Sequence, residues 1–356
     1  MSLALFFVVA IVCFYTGLLI QRCMDAHPHI RSYPDIGEFS FGYNGRLIVS
    51  IFMYIELYLI GVSFLILEGD NLDKLFPNTE FDLFSLTIRG KQLFLLISAL
   101  IVLPTTWLRN LDVLAYISAG GVVASMVLLG SLIWIGVTET GFQKRGRLLN
   151  WSGLSTALGL FFVCFTSHAV FPTIHASMRD KTKFSRVLMI SFALCTLNYG
   201  AMAVLGYLMY GEELQSQVTL NFPAGKLCSK IAIYTTLINP FAKYALAITP
   251  IALSIEEWLA LQFKRSYSIL VRSLLLISSV IMASSIPVFG YFMAFIGSFL
   301  SVMVSVLLPC IFYMKIYRAS PVNRIELILI MGIMLIGILV SVIGTYSSVM
   351  QIIFHL

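Results

Sequence analysis

The stretch SLLLISSVIMASSIPVFGYFMAFIGSFLSVMVSVLLPCIFYM, residues 273–314, contains no Asp, Glu, Lys, Arg or His. As one helix it would be about 63 Å long, twice the roughly 30 Å hydrocarbon core of a bilayer. It therefore reads as two spans joined by a tight turn at Ser284-Ser285-Ile286-Pro287 and Gly290. Working outward with the same criterion of about 17–25 apolar residues, the chain offers ten spans: 3–20, 47–67, 92–108, 113–137, 152–176, 187–210, 230–254, 270–286, 289–314 and 325–350. The expected fold class is an all-α polytopic membrane protein, with residues 1–356 as a single transmembrane domain.

Composition points the same way. The chain is 59% hydrophobic and 11% charged, whereas soluble domains run near 45–50% and about 25%. That excludes a soluble enzyme and a disordered chain. The net charge of +6 comes from 23 Lys and Arg scattered over short loops, with no basic run interleaved with aromatics, so no nucleic-acid partner is expected. The six Cys show no C-x-x-C and no metal-ligand spacing, and neither a disulfide framework, a metal site nor a cofactor is expected. No G-x-S-x-G, H-E-x-x-H or phosphate loop is present, so the chain does not read as an enzyme.

The basic residues report orientation. Loops 22–46, 177–186, 255–272 and 315–324, with Arg109, hold fourteen of them; the opposite side holds eight, and Lys243 falls within a span. The richer side reads as cytosolic. All four Trp fall at expected span ends, as an interfacial belt requires. The Asn150-Trp151-Ser152 sequon abuts a span and is not expected to be used. With both termini opposite the cytosol and no basic residue ahead of the first span, two expectations stand: a short translocated N-terminus, or an upstream helix absent from this chain.

Polar groups at membrane depth are functional candidates because they are costly there. The fifth span carries Cys164-Phe165-Thr166-Ser167-His168, followed by Pro172. Proline removes a backbone N–H and clashes one turn back, so the helix is expected to break near His168. A broken helix frees backbone groups that bind ligand carboxylates, ammonium groups or ions; alternatively the residues merely re-satisfy a kink. His168 is either a proton-coupling group or a hydrogen-bonded core histidine. Lys243, in Asn239-Pro240-Phe241-Ala242-Lys243-Tyr244, is either a coupling group or a structural ion pair. Glu56, between Tyr54 and Tyr58, is the only carboxylate well inside a span; it either partners Lys243, carries a proton, or makes a structural hydrogen bond. Ser118-Ala119-Gly120-Gly121 and Gly297-Ser298 read as close helix packing.

Tyr33-Pro34-Asp35-Ile36-Gly37-Glu38 followed by Phe41-Gly42 resembles the amino acid/auxin permease family, and within it the plant vacuolar amino acid transporters. Leu103-Pro104-Thr105-Thr106-Trp107-Leu108, Tyr116-Ile117-Ser118-Ala119-Gly120-Gly121, Ser167-His168-Ala169-Val170-Phe171-Pro172 and Lys243-Tyr244-Ala245-Leu246 carry the same resemblance, which extends over essentially the whole chain. The resemblance implies a LeuT-like inverted-repeat arrangement, with the first of its eleven helices missing here and the fifth span corresponding to its sixth. It also implies a secondary active transporter moving amino acids across the vacuolar membrane by alternating access, coupled to the proton gradient. Substrate would bind at Cys164, Phe165, Thr166, Ser167, His168 and Tyr54, with Lys243, His168 and Glu56 coupling protons. The alternative is a non-transporting membrane sensor or partner-binding protein, inactive through loss of the first helix.

Overall fold

A computed structural model describes residues 2–83, 86–107, 111–142, 153–223, 225–259, 265–286, 288–318 and 323–355. The sequon and Arg109 lie outside the described residues, as does Pro287. Each of the ten expected spans falls on helix: α1 (Ser2–Asp25), α2 (Tyr33–Leu75), α3 (Gly90–Thr106), α4 (Leu111–Ile135), α5 (Leu154–Cys164) with α6 (Phe171–Ser177), α7 (Phe184–Tyr210), α8 (Leu227–Trp258), α9 (Arg265–Ser285), α10 (Phe289–Phe295) with α11 (Leu308–Ile316), and α12 (Arg324–His355). Among the described residues nine helical segments are long and apolar enough to cross a membrane; α3, with 17 residues, is the shorter tenth. The turn dividing 273–314 falls between Ser285 and Phe289, where it was expected.

One expectation is corrected here. The 22–46 segment is not all loop, because α2 starts at Tyr33. Its N-terminus is capped from within: Asp35 Oδ2 accepts from the backbone N–H of Ser32 (2.8 Å) and Arg31 (3.1 Å). The helix then bends at Gly42 (φ 70°, ψ −160°), a conformation that costs a residue with a Cβ and suits glycine. Arg46 reaches back across the bend to Asp35 (3.2 Å) and Glu38 (2.5 Å). The all-α class holds, with one short hairpin beside the helices. Between α2 and α3, β1 (Glu80–Leu83) pairs antiparallel with β2 (Leu86–Arg89), setting Glu80 opposite Arg89.

The chain divides into two compact units. The first comprises residues 1–56, 148–200 and 290–356; the second comprises 57–147 and 201–289, so α2 and α7 contribute a part to each. In the first, the run from α10 to α11 is the central element: 78% of its most apolar window is buried, against 17–47% for the other eight long segments. It is helical throughout but widens into π turns at Ile296–Ser301 and Met303–Leu307. Pro309 follows, and its missing N–H leaves a carbonyl one turn back without its usual donor, a strain that a widened turn absorbs. Tyr33 uses a carbonyl from this region, donating its hydroxyl to Val304 O at 2.6 Å.

Packing of α5 on this run depends on two glycines. A Cβ on Gly297 would collide with the Gly159 carbonyl, and one on Gly159 with the Ala294 backbone. Backbone atoms cannot swing aside as a side chain can, so Gly297→Ala should destabilise the folded chain by about 2–3 kcal/mol. The check is the apparent melting temperature of the detergent-solubilised variant.

In the second unit α4 lies along α8, and α3, α8 and α9 pack together. Asn239 of α8 donates to the Gly121 carbonyl of α4 at 3.2 Å. Arg272 was counted among loop charges, but it lies in the second turn of α9 and is 1% exposed. Its Nε sits 3.1 Å from Glu256 Oε1, which also accepts from Ser268 (2.7 Å), while Arg272 Nη1 donates to the Thr106 carbonyl at the end of α3 (2.8 Å).

A carboxylate at a broken helix

The fifth span breaks next to His168, as expected, but Pro172 is not the residue at which the helix ends. α5 ends at Cys164; Phe165 (φ −113°, ψ 11°) and Ser167 (φ −145°, ψ 4°) leave the helical region. Short bonds close the ends, from Phe165 N–H to Phe162 O and from Val170 N–H to Ser167 O, both 3.1 Å. Pro172 lies five residues beyond this break, as the second residue of α6. There the first turn needs no intrahelical donor, so proline starts α6 rather than kinking a continuous helix.

Glu56 of α2 is 2% exposed and faces this break. Its Oε1 accepts from Thr166 Oγ1 in the break (2.7 Å) and from Ser301 Oγ in the first π turn (2.8 Å). Ser305, in the second π turn, donates in turn to Thr166 Oγ1 at 3.2 Å. Three irregular places in the first unit are thus tied to one buried carboxylate. Such a group needs a counter-charge, which a proton or a cationic ligand group can supply.

His168 is fully buried on the neighbouring side. Its Nε2 lies 2.9 Å from Cys13 O and 3.0 Å from Thr16 Oγ1, both on α1. A carbonyl only accepts, so Nε2 carries the hydrogen, and Nδ1 is buried with no hydrogen-bond partner among the described residues. His168 therefore anchors the break to α1.

The remaining candidates are spread more widely. Cys164 and Ser167 are exposed and line a cavity of about 120 Å³ against α7, together with Ser191 and Cys195. Phe165 is 3% exposed and stacked on Phe192 (5.8 Å between centroids), a packing role. Tyr54 is half-buried two residues before Glu56, about 200° round the helix and so on another face of α2. Lys243 lies on α8 in the second unit, with its side chain at the surface of the chain rather than buried. Ser301 and Ser305 were not singled out from the sequence, nor was Thr16. The signal for the first two was there: Ser298, Ser301 and Ser305 recur at spacings of three and four in an otherwise apolar run. Among the described residues no three His, Cys, Asp or Glu side chains gather into a metal-binding group.

A family model described as "Transmembrane amino acid transporter protein" matches residues 1–352. The chain belongs to this family. Its relatives include three proteins of Arabidopsis thaliana. Amino acid transporter AVT1I is 49% identical over 99% of this chain and 88% of its own length. Amino acid transporter AVT1J is 47% identical, over 99% and 84%. Amino acid transporter AVT1B is 44% identical, over 99% and 66%. The family is one of membrane transporters rather than enzymes, which agrees with the missing catalytic motifs and with the apolar helices.

Proposed function

We propose that the chain moves amino acids across the vacuolar membrane by secondary active transport, exchanging access between the two faces and drawing on the proton gradient. The helices would follow a LeuT-like inverted repeat. The observation that carries this reading is the buried Glu56 carboxylate bonded to Thr166 in the break and to Ser301 in a π turn. Helix breaks expose backbone dipoles that hold amino acid carboxylates and ammonium groups, and an adjacent carboxylate can take a proton on one face and release it on the other. Substrate would contact the break at Cys164, Thr166 and Ser167, with His168 holding its geometry from α1. The cytosolic side would be the one richer in Lys and Arg. The membrane assignment rests on the resemblance of the Tyr33–Gly42 stretch and the other motifs to plant vacuolar transporters.

The test is reconstitution of the chain into proteoliposomes with an imposed pH gradient. Radiolabelled neutral amino acids should accumulate, and collapse of the gradient with a protonophore should release them. A folded, correctly inserted chain that neither accumulates nor exchanges any amino acid would favour a sensor or partner-binding role instead.

A further inference from the structure

Two depressions lie end to end between α1 and α7 in the first unit. One, of about 380 Å³, is lined by Phe7, Ile11, Phe14, Phe192 and Leu197 among others; the other, of about 370 Å³, by Phe14, Leu18, Gln21, Arg22, Ser185 and Arg186 among others. They share Phe14 and Met189 and so form one groove. From Phe7 to Arg22 it runs about 22 Å along α1, at about 1.5 Å per residue. Its character changes along that length, from apolar but for Thr196 to polar at the end rich in basic residues.

The polar end is organised. Ser185 Oγ of α7 donates to Gln21 Oε1 of α1 at 2.8 Å. Arg22 is engaged by Glu326 and by the Tyr313 hydroxyl (3.3 Å), and Asp25 faces His175 Nε2 at 3.6 Å. Arg186 is exposed and makes no ion pair among the described residues. The connector before α7 adds Arg179, Lys181 and Lys183, of which Lys183 pairs with Asp180 at 3.2 Å. Basic charge thus exceeds acidic charge where the groove meets the side read as cytosolic.

A small soluble anion would leave the apolar length uncovered. An apolar helix would bury Arg186 without a counter-charge. A phospholipid carries both features: an acyl chain for the apolar length and a phosphate for the basic end. Anionic lipids are also enriched in the cytosolic leaflet. We propose that the α1/α7 groove is a binding site for an anionic phospholipid, its phosphate at Arg186 and Gln21 and one acyl chain along Phe14, Ile11 and Leu197.

The experiment uses the full chain in phosphatidylcholine vesicles doped with a photoreactive phosphatidylserine, followed by peptide mapping. Label should concentrate in residues 7–25 and 185–197. Arg186→Gln should lower it about fivefold, the weight of one basic side chain at an anionic surface, while Arg186→Lys retains most of it. Ile11→Trp, which fills the apolar end, should lower it as well. Arg186 and Ile11 are both exposed, so these changes leave the fold intact, as gel filtration would show. The proposal is overturned by any of four results: label indifferent to Arg186→Gln, equal labelling by a photoreactive phosphatidylcholine, displacement by inorganic phosphate alone, or an interchain crosslink through Ile11→Cys that places a second copy in the groove.

Discussion

Glu56→Gln should abolish accumulation driven by a pH gradient while sparing exchange of amino acids between equal pools. Gln occupies nearly the same volume and can still accept from Thr166 and Ser301, so the break and the π turns stay in place. What it loses is the ability to change charge. If Glu56 carries the coupled proton, the variant behaves as a permanently neutral site: substrate still equilibrates, but the gradient no longer drives it. Initial exchange rates within about threefold of the parent, with accumulation at background, is the expected pair of readings. Accumulation at parental levels would remove Glu56 from the coupling role and return attention to His168 and Lys243. Loss of exchange as well, in a variant that folds normally, would place Glu56 in substrate binding rather than coupling.

A comparably large effect is expected in stability, at the buried Arg272. Arg272→Ala should destabilise the chain by about 3–5 kcal/mol, because it removes the guanidinium bonded to the buried Glu256 carboxylate and to the Thr106 carbonyl. Glu256→Ala should cost a similar amount, stranding a guanidinium whose Nη2 has no hydrogen-bond partner among the described residues. The double change Glu256→Leu with Arg272→Met should recover most of the loss, since removing both charges removes the penalty of burying either. Apparent melting temperature and the yield of monodisperse protein in detergent distinguish these cases. If each single variant is as stable as the parent, the pair is solvated in the membrane-inserted protein and the assignment of Arg272 to the interior fails.

These two sites also mark how far the sequence could be read. Glu56 was legible as a carboxylate within a span, and Thr166, Ser167 and His168 as a polar cluster at depth, because polarity in an apolar run stands out in one dimension. Their partners were not legible. Ser301 lies 245 residues from Glu56 and Thr166 lies 110 away. Nothing local tells which serine of an apolar helix faces which neighbour. Arg272 was misread as a loop charge for the same reason: hydropathy places a basic residue at a span end without saying that Glu256 and Thr106 are folded around it.

The division between the two kinds of information has a physical basis. The places of the apolar helices and the turn after Ser285 follow from sequence alone, because hydrocarbon demands about 20 apolar residues with every backbone group bonded inside the helix. The exceptions to regular helix were decided by tertiary structure. The break at Phe165–Ser167 lies ahead of the proline that announced it, and Pro309 alone does not say that the turns of Ile296–Ser301 and Met303–Leu307 widen. Remote neighbours hold the irregular places: Tyr33 donates to the Val304 carbonyl, Glu56 accepts from the Thr166 and Ser301 hydroxyls, and the His168 ring bonds to α1. Those neighbours are remote in the chain, so the irregularities that make the site exist only once the helices have packed.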